Sequence, residues 1–223
     1  MQIRDRKITA NYNKGRSELK PIAIVLHIME GTLSGTDSWF RNPKSQASTH
    51  YGIGKNGEIW QWVSEYDMAY GNGRVAAPTW DLITGQNPNL YTISIEHEGF
   101  TGQPWTEAMY QADVFLIRQI AKRWSIPLDR DHIIGHREIY GKKPNCPGTG
   151  LDFKKLMAML NESDEKSVCV KGDKDSKIFW VDAGGVRHHI PTWEFYSEYF
   201  KGEPKVIDQD ELAAIPEGEP FNS

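Results

Sequence analysis

Short apolar runs alternate with amphipathic stretches through the first 160 residues. "PIAIVLH", residues 21–27, is continuously apolar, which is typical of a central strand covered on both faces. "NLYTISIEHEG", residues 89–99, alternates with a period of two and predicts a second strand with Glu96 on its polar face. "THYGIGKNGEIWQWV", residues 49–63, predicts a hairpin that turns at Asn56-Gly57. These patterns indicate a sheet with at least one buried central strand.

Helical periodicity appears in the second half of this region. "PWTEAMYQADVFLIRQIAKRWS", residues 104–125, predicts an amphipathic helix with Thr106 as its N-cap. "DHIIGH" predicts a short strand that ends at His136, and residues 150–160 predict a closing helix. Strands that alternate with helices indicate an α/β or mixed-sheet domain.

The chain is predicted to divide near residue 162. Residues 1–161 form the first domain, and the polar, charged stretch 162–167 reads as a linker. Residues 168–223 are predicted to form a small C-terminal α+β module, with a hairpin followed by a helix that Thr192 caps. Two interpretations of this module stay open: binding to a cell wall, or packing and dimerisation.

Composition narrows the function classes. A formal net charge of -4 argues against nucleic acid as the main partner. No apolar run approaches the roughly 20 residues that span a bilayer. The N-terminal residues lack the apolar segment of a signal peptide, so we expect synthesis in a cytoplasm and export by another route. Two cysteines make no disulfide framework, which leaves a Cys146–Cys169 disulfide as a minor alternative.

Titratable residues are predicted to lie at strand ends, where ligand sites in open sheets gather. His27, Glu96 and His136 are the three cases, and Cys146 follows in a turn between Asn145 and Pro147. Singly, each has an ordinary structural explanation, such as a hydrogen-bonded core histidine or a buried thiol.

Together, two histidines and a thiolate form a tetrahedral zinc set that leaves a fourth position for water. Glu96 would then exchange the proton, and Lys143 would stabilise the developing oxyanion. A nucleophilic Cys146 with His136 as its base is the competing interpretation. Residue spacing alone leaves both open.

Three blocks carry a resemblance to a known family: "IVLHIMEGTLSGTDSWFRNPKSQASTHYGIGKNGEIWQWVSEYDMAYGNG", "NPNLYTISIEHEG" and "DHIIGHREI…NCPG". They resemble the zinc-dependent N-acetylmuramoyl-L-alanine amidases, which share the peptidoglycan-recognition fold and include many phage endolysins. The resemblance covers roughly residues 8 to 160. It implies a mixed central β-sheet flanked by helices, with a zinc cleft along one side. It also implies hydrolysis of the amide between the lactyl group of N-acetylmuramic acid and L-alanine of the stem peptide.

Residue by residue, the resemblance implies that His27, His136 and Cys146 bind Zn2+ and that Glu96 is the general base. It places His50 near the cleft, as a residue that contacts the substrate or orients a ligand. A simpler role for His50, fixing a loop through a backbone hydrogen bond, also stays open.

The sequence departs from the family pattern at two positions. Many members carry lysine two residues before the third ligand, where this chain has Pro144, and Lys143 is one residue further back. Some phage members carry a catalytic tyrosine where this chain has Thr49. Both departures bear on catalysis rather than on metal binding.

The resemblance leaves three functions to separate. The leading one is a lytic phage endolysin, a monomer that acts on bacterial peptidoglycan after release from the host cytoplasm. The second is a cytoplasmic amidase that recycles soluble muropeptides. The third is a non-catalytic peptidoglycan-binding protein. The intact set of His27, His136, Cys146 and Glu96 argues against it.

Overall fold

The computed structural model describes residues 1–73, 80–82, 87–139, 143, 145–161, 168–182, 184–200 and 202–221. The chain forms two compact units, one of Ile3–Leu160 and one that joins Met1–Gln2 to Asn161–Ser223. The predicted linker 162–167 lies outside the described residues. None of the described helices is both long and apolar enough to cross a membrane.

A six-stranded mixed sheet forms the centre of the first unit. The strands of this unit are β1 (Ile3–Asp5), β2 (Tyr12–Asn13), β3 (Ala23–Ile28), β4 (Tyr51–Ile53), β5 (Ile59–Gln61), β6 (Met68–Ala69), β7 (Thr92–His97) and β8 (Ile133–Gly135). The order in the sheet is β1-β5-β4-β7-β3-β8, while β2 and β6 pair separately. Only the β4–β5 pair in this sheet is antiparallel.

Four α-helices accompany the sheet among the described residues of this unit. They are α1 (Leu33–Arg41), α2 (Glu107–Trp124), α3 (His136–Ile139) and α4 (Phe153–Asn161). Single turns of 3-10 helix at Pro43–Ser45 and Pro88–Leu90 complete the regular structure. The predicted α/β class, with a mixed central sheet flanked by helices, is confirmed.

The strand predicted from the apolar run at residues 21–27 is β3, which lies inside the sheet between β7 and β8. All six residues of β3 are buried, and β3 pairs in parallel with both β7 and β8. The register places His27 directly beside Glu96. Because the three parallel strands end at the same edge of the sheet, the residues that end or follow them meet there.

The predicted helix at residues 104–125 is confirmed as α2. Thr106 accepts a hydrogen bond from the backbone N–H of Met109 at 3.1 Å, which caps the first turn. The apolar stripe is buried on the sheet, with Leu116 and Ile120 fully inaccessible. Ser125 ends the helix in the left-handed conformation.

Two differences from the sequence predictions concern local structure. Helix α1 was not predicted, although Thr32 caps it and Leu33 and Phe40 are buried about two turns apart on its inner face. The predicted strand at "DHIIGH" ends one residue early, at Gly135. His136 is instead the first residue of α3.

The second unit contains a four-stranded sheet in the order β11-β10-β9-β12. Its elements are β9 (Val168–Gly172), β10 (Ile178–Val181), β11 (Arg187–Ile190), α5 (Trp193–Tyr199), β12 (Lys205–Ile207) and α6 (Gln209–Ala214). The predicted hairpin is the antiparallel β10–β11 pair, and Thr192 caps α5 by accepting from the Phe195 N–H at 3.1 Å. Its own small core contains Val170, Phe179, Ile207 and Leu212.

Candidate metal centre and catalytic cavity

Three sequence-predicted metal ligands come together at the edge of the sheet. His27 is the penultimate residue of β3, His136 follows β8, and Cys146 lies in the turn after α3. The two imidazole rings have centroids 4.4 Å apart, and Cys146 Sγ lies 3.8 Å from His27 Nδ1. The ligand atoms of all three residues lie within 4.8 Å of one another.

Backbone contacts hold the Cys146 turn against the sheet. The Arg137 N–H donates to the Cys146 carbonyl at 3.0 Å, and the Cys146 N–H donates to the Lys143 carbonyl at 3.1 Å. Gly135 permits this approach, because a Cβ there would lie 2.6 Å from Pro147 Cδ. A side chain at position 135 would therefore displace the turn that carries Cys146.

The spacing of these atoms fits a tetrahedral zinc ion. Zn–N bonds near 2.0 Å and a Zn–S bond near 2.3 Å at a tetrahedral angle separate nitrogen from sulfur by about 3.6 Å. The observed 3.8 Å between His27 Nδ1 and Cys146 Sγ is close to this value. Within the described part of the chain the group contains three ligands of the His, Cys, Asp or Glu type. Three protein ligands are typical of catalytic rather than structural zinc sites.

Burial sets the protonation of the three ligands. Burial, with the neighbouring His136 and His97, holds the pKa of His27 well below its usual range. Burial and the nearby Lys143 lower the pKa of His136 to about 4. Both imidazoles are therefore neutral at pH 7, as metal coordination requires.

The pKa of the Cys146 thiol is shifted in the opposite direction. Burial, followed by the nearby Glu96 carboxylate, raises the pKa of Cys146 to about 12. A nucleophilic cysteine needs a lowered pKa, so this environment argues against that alternative. A coordinated dication would instead deprotonate the thiol outright. Both cysteines are free, which excludes the Cys146–Cys169 disulfide.

Glu96 lies beside the candidate metal ligands in a cavity of about 330 Å³. The cavity is lined by His27, Ile28, Glu30, Gly71, Gly73, Glu96, His136, Lys143, Asn145 and Cys146. Burial raises the pKa of Glu96 to about 8, while the Lys143 ammonium acts in the other direction. Glu96 Oε2 is buried and has no hydrogen-bond partner among the described residues, so it is available to a bound molecule. Lys143 is exposed at the same cavity, and Pro144 lies outside the described residues.

His50 does not belong to the lining of this cavity. Its Nδ1 accepts from the Ser94 N–H at 3.0 Å, and its Nε2 contacts Arg16 Nη2 at 2.6 Å and the Asp67 carbonyl at 3.1 Å. Burial and the adjacent Arg16 hold the pKa of His50 well below its usual range. The hydroxyl of the neighbouring Thr49 donates to the Tyr51 carbonyl at 3.0 Å. Both ring nitrogens of His50 thus contact protein groups.

Two buried residues behind the cavity were given no site role from the sequence. His97 Nδ1 donates to the His27 carbonyl at 2.9 Å, and its ring stacks on Trp105 at 3.8 Å. Asn72 is fully buried between Gly71 and Gly73. The only sequence signal for Asn72 is a polar residue between two glycines in "YGNG".

The mixed sheet and the His-His-Cys group define an α/β protein with a candidate metal centre at one sheet edge. A family model described as N-acetylmuramoyl-L-alanine amidase matches residues 17–149, which is more than half of the chain. The chain therefore belongs to the N-acetylmuramoyl-L-alanine amidase family. The matched segment includes all three candidate ligands and Glu96.

Individual relatives agree with this assignment. N-acetylmuramoyl-L-alanine amidase A of Achromobacter lyticus is 36% identical over 118 residues, or 52% of this chain and 58% of that protein. The 1,6-anhydro-N-acetylmuramyl-L-alanine amidase AmpD of Haemophilus influenzae is 30% identical over 115 residues, or 52% of this chain and 59% of that protein. The matches thus span less than two thirds of either relative.

A solved structure of a mutant endolysin from Bacillus subtilis has a similar fold. The TM-score is 0.56 at 20% identity, and the match covers 72% of this chain and 99% of that one. At this identity the likeness concerns the fold alone.

Proposed function

We propose that this protein is a zinc-dependent N-acetylmuramoyl-L-alanine amidase. It would hydrolyse the amide between the lactyl group of N-acetylmuramic acid and L-alanine of the peptidoglycan stem peptide. The observation that carries the proposal is the meeting of His27, His136 and Cys146 with the buried Glu96 carboxylate at one cavity. Family membership supplies the substrate class.

His27, His136 and Cys146 would hold the zinc ion. Zinc in such a site supplies Lewis acidity toward the scissile carbonyl and lowers the pKa of water to roughly 7. The buried imidazoles are neutral, so they present lone pairs without first losing a proton. The tight spacing of the three ligand atoms means that little rearrangement is needed to bind the ion.

Glu96 is proposed to move the proton during hydrolysis. Its carboxylate takes a proton from the attacking water and delivers it to the nitrogen of the leaving amine as the C–N bond breaks. Its raised pKa, about 8, suits both steps near neutral pH. Lys143 lines the same cavity and is proposed to stabilise negative charge on the carbonyl oxygen.

The first test measures zinc content and peptidoglycan hydrolysis on the same preparations. We expect about one zinc per wild-type chain, activity that chelation abolishes and added zinc restores, and loss of both zinc and activity in Cys146→Ser. Cys169→Ser is the matched control, because it removes the other free thiol and should change neither quantity. Activity that survives complete metal removal but disappears in Cys146→Ser would show a cysteine nucleophile instead.

A second test isolates the proton-transfer role. Glu96→Gln should retain zinc, because Glu96 is not among the ligand atoms, yet its turnover should fall by at least 100-fold. An active Glu96→Gln protein would contradict the assignment of Glu96 as general base. An inactive wild type that binds muropeptides would support a non-catalytic binding protein.

We further propose that the substrate is the intact wall, as for an endolysin, rather than soluble muropeptides. This proposal depends on the wall-binding role proposed below for the second compact unit, since an enzyme of soluble fragments has no need of such a module. Comparing rates on purified sacculi and on soluble anhydro-muropeptides separates the two. A strong preference for the soluble fragments would indicate a recycling enzyme.

The second unit is proposed to bind the cell wall. A chain that ends at Leu160 keeps the whole first unit and should bind sacculi less tightly than the full chain, while hydrolysing a small muropeptide at the same rate. Equal sacculus binding by both proteins would favour a packing or dimerisation role. Sedimentation of the full chain would then show whether it is a monomer.

A further inference from the structure

Asn72 is held by hydrogen bonds over the polar face of β7, between two glycines that line the cavity. Its backbone N–H donates to Asn89 Oδ1 at 2.7 Å. Its side-chain nitrogen donates to Thr92 Oγ1 at 2.7 Å and lies 3.4 Å from Ser94 Oγ. The side chain is fully buried and therefore has one available orientation rather than a choice of several.

The hydrogen-bond network decides which end of the Asn72 amide faces Thr92. The single hydroxyl proton of Thr92 is donated to the Pro88 carbonyl at 2.9 Å, so Thr92 Oγ1 can only accept from Asn72. The NH2 group must therefore face Thr92. The amide oxygen, Oδ1, then points to the other side of the side chain.

His27 lies on that other side. His27 Nε2 and Asn72 Oδ1 are both buried polar atoms without a standard hydrogen bond. The Asn72 side chain acts on the His27 ring in the direction that raises its pKa, which agrees with an acceptor oxygen facing the ring. Neither atom has another partner among the described residues.

The second candidate histidine ligand also contacts Asn72. The backbone of Asn72 acts to raise the pKa of His136, as expected of a carbonyl that accepts from the ring. One residue thus interacts with both imidazoles. His27 Nδ1, meanwhile, faces Cys146 Sγ.

We propose that Asn72 is a positioning residue for the metal ligands, in which Oδ1 accepts the Nε2–H of His27 and the backbone carbonyl holds His136. A proton fixed on Nε2 leaves the lone pair of Nδ1 directed toward Cys146. Metal-binding histidines generally have such a partner on the other ring nitrogen, and its loss weakens metal affinity by about 10- to 100-fold. The inference rests on the zinc site proposed above.

The experiment measures zinc affinity of the full chain by competition with a chromophoric chelator. Asn72→Leu keeps a similar volume but has no acceptor, and we expect about 10- to 100-fold weaker zinc binding. Asn72→Asp keeps an acceptor oxygen for His27 but loses the NH2 group that faces Thr92, so its loss of affinity should be clearly smaller than that of Asn72→Leu. Asn11→Leu is the matched control, because Asn11 is a structural asparagine that bonds Phe40 and Asn42 carbonyls outside the cavity.

Nitrogen-15 spectra of the histidine rings in the zinc-loaded protein provide an independent measurement. The wild type should show His27 protonated at Nε2 with slow solvent exchange of that proton, and the exchange should accelerate in Asn72→Leu. If the leucine variant does not fold, Asn72→Ser replaces it, with circular dichroism of each metal-free protein confirming its fold.

The outcomes separate this inference from the proposed function. Wild-type zinc binding with unchanged affinity in Asn72→Leu overturns the role of Asn72 alone. Equal loss in Asn72→Leu and Asn72→Asp also overturns it, since only packing would then be at stake. A wild type that binds no zinc overturns both.

Discussion

The buried carboxylate of Glu96 should destabilise the metal-free protein at neutral and alkaline pH. Burial raises its pKa from an ordinary value of 4.5 to about 8. Below pH 4.5 the carboxyl is protonated in both folded and unfolded chains and carries no penalty. Above it the unfolded chain ionises freely while the folded chain does not, so stability falls as pH rises and levels off above pH 8. The difference in pKa corresponds to at most about 5 kcal/mol.

Glu96→Gln removes this pH-dependent cost while keeping the shape of the side chain. The difference in free energy of unfolding between the variant and the wild type should grow by about 3 to 4 kcal/mol, in favour of the variant, as the pH rises from 5 to 8. The measurement is urea unfolding followed by circular dichroism, on protein treated exhaustively with a chelator. Glu107→Gln, which removes an exposed carboxylate of α2 that pairs with Lys155, is the control and should not show this gain.

A gain for Glu96→Gln of less than about 1 kcal/mol between pH 5 and pH 8 would refute the reasoning. It would mean that Glu96 is ionised in the metal-free protein, through Lys143 or through water in the cavity. A gain of the expected size would show that the fold carries a cost at the position proposed for proton transfer. Such costs are common where a side chain is selected for function rather than stability.

Two further predictions concern the packing that supports the site. Gly52→Ala would place a methyl group into the Trp62 ring and should cost at least about 2 kcal/mol of stability. Gly31→Ala, with open space around it, is the control and should cost little. Thermal denaturation of both variants measures the difference. Burial acts to raise the pKa of Asp37, but hydrogen bonds from Arg41 and two other side chains outweigh it and lower the pKa to about 2. The stabilisation by Asp37 is present above pH 4 and is lost as pH falls through 2. Asp37→Asn should therefore cost about 1 to 2 kcal/mol at pH 7 and much less at pH 2, and equal losses at both pH values would contradict this origin.

Much of the sheet edge that forms the site could be predicted from local pattern. An unbroken apolar run predicts a buried strand, and β3 is buried throughout. A strict alternation predicts which face carries Glu96. Helix α1 escaped prediction because its segment, "LSGTDSWFR", is rich in small and polar residues that favour turns as much as helices. Its amphipathic face becomes apparent only once Leu33 and Phe40 have a core to enter.

The sequence by itself determined the class of fold, the main helix and its cap, and the strand ends that carry His27 and Glu96. These features depend on periodicity and capping, which act between residues close in the chain. Only the tertiary structure decided that Cys146 Sγ lies 3.8 Å from His27 Nδ1 across 119 residues of chain. It alone showed the network that orients Asn72, because those contacts depend on parallel strand pairing and burial. Neither the approach of Cys146 to His27 nor the network around Asn72 leaves a periodic signal in the sequence, since each involves single side chains brought together from distant segments.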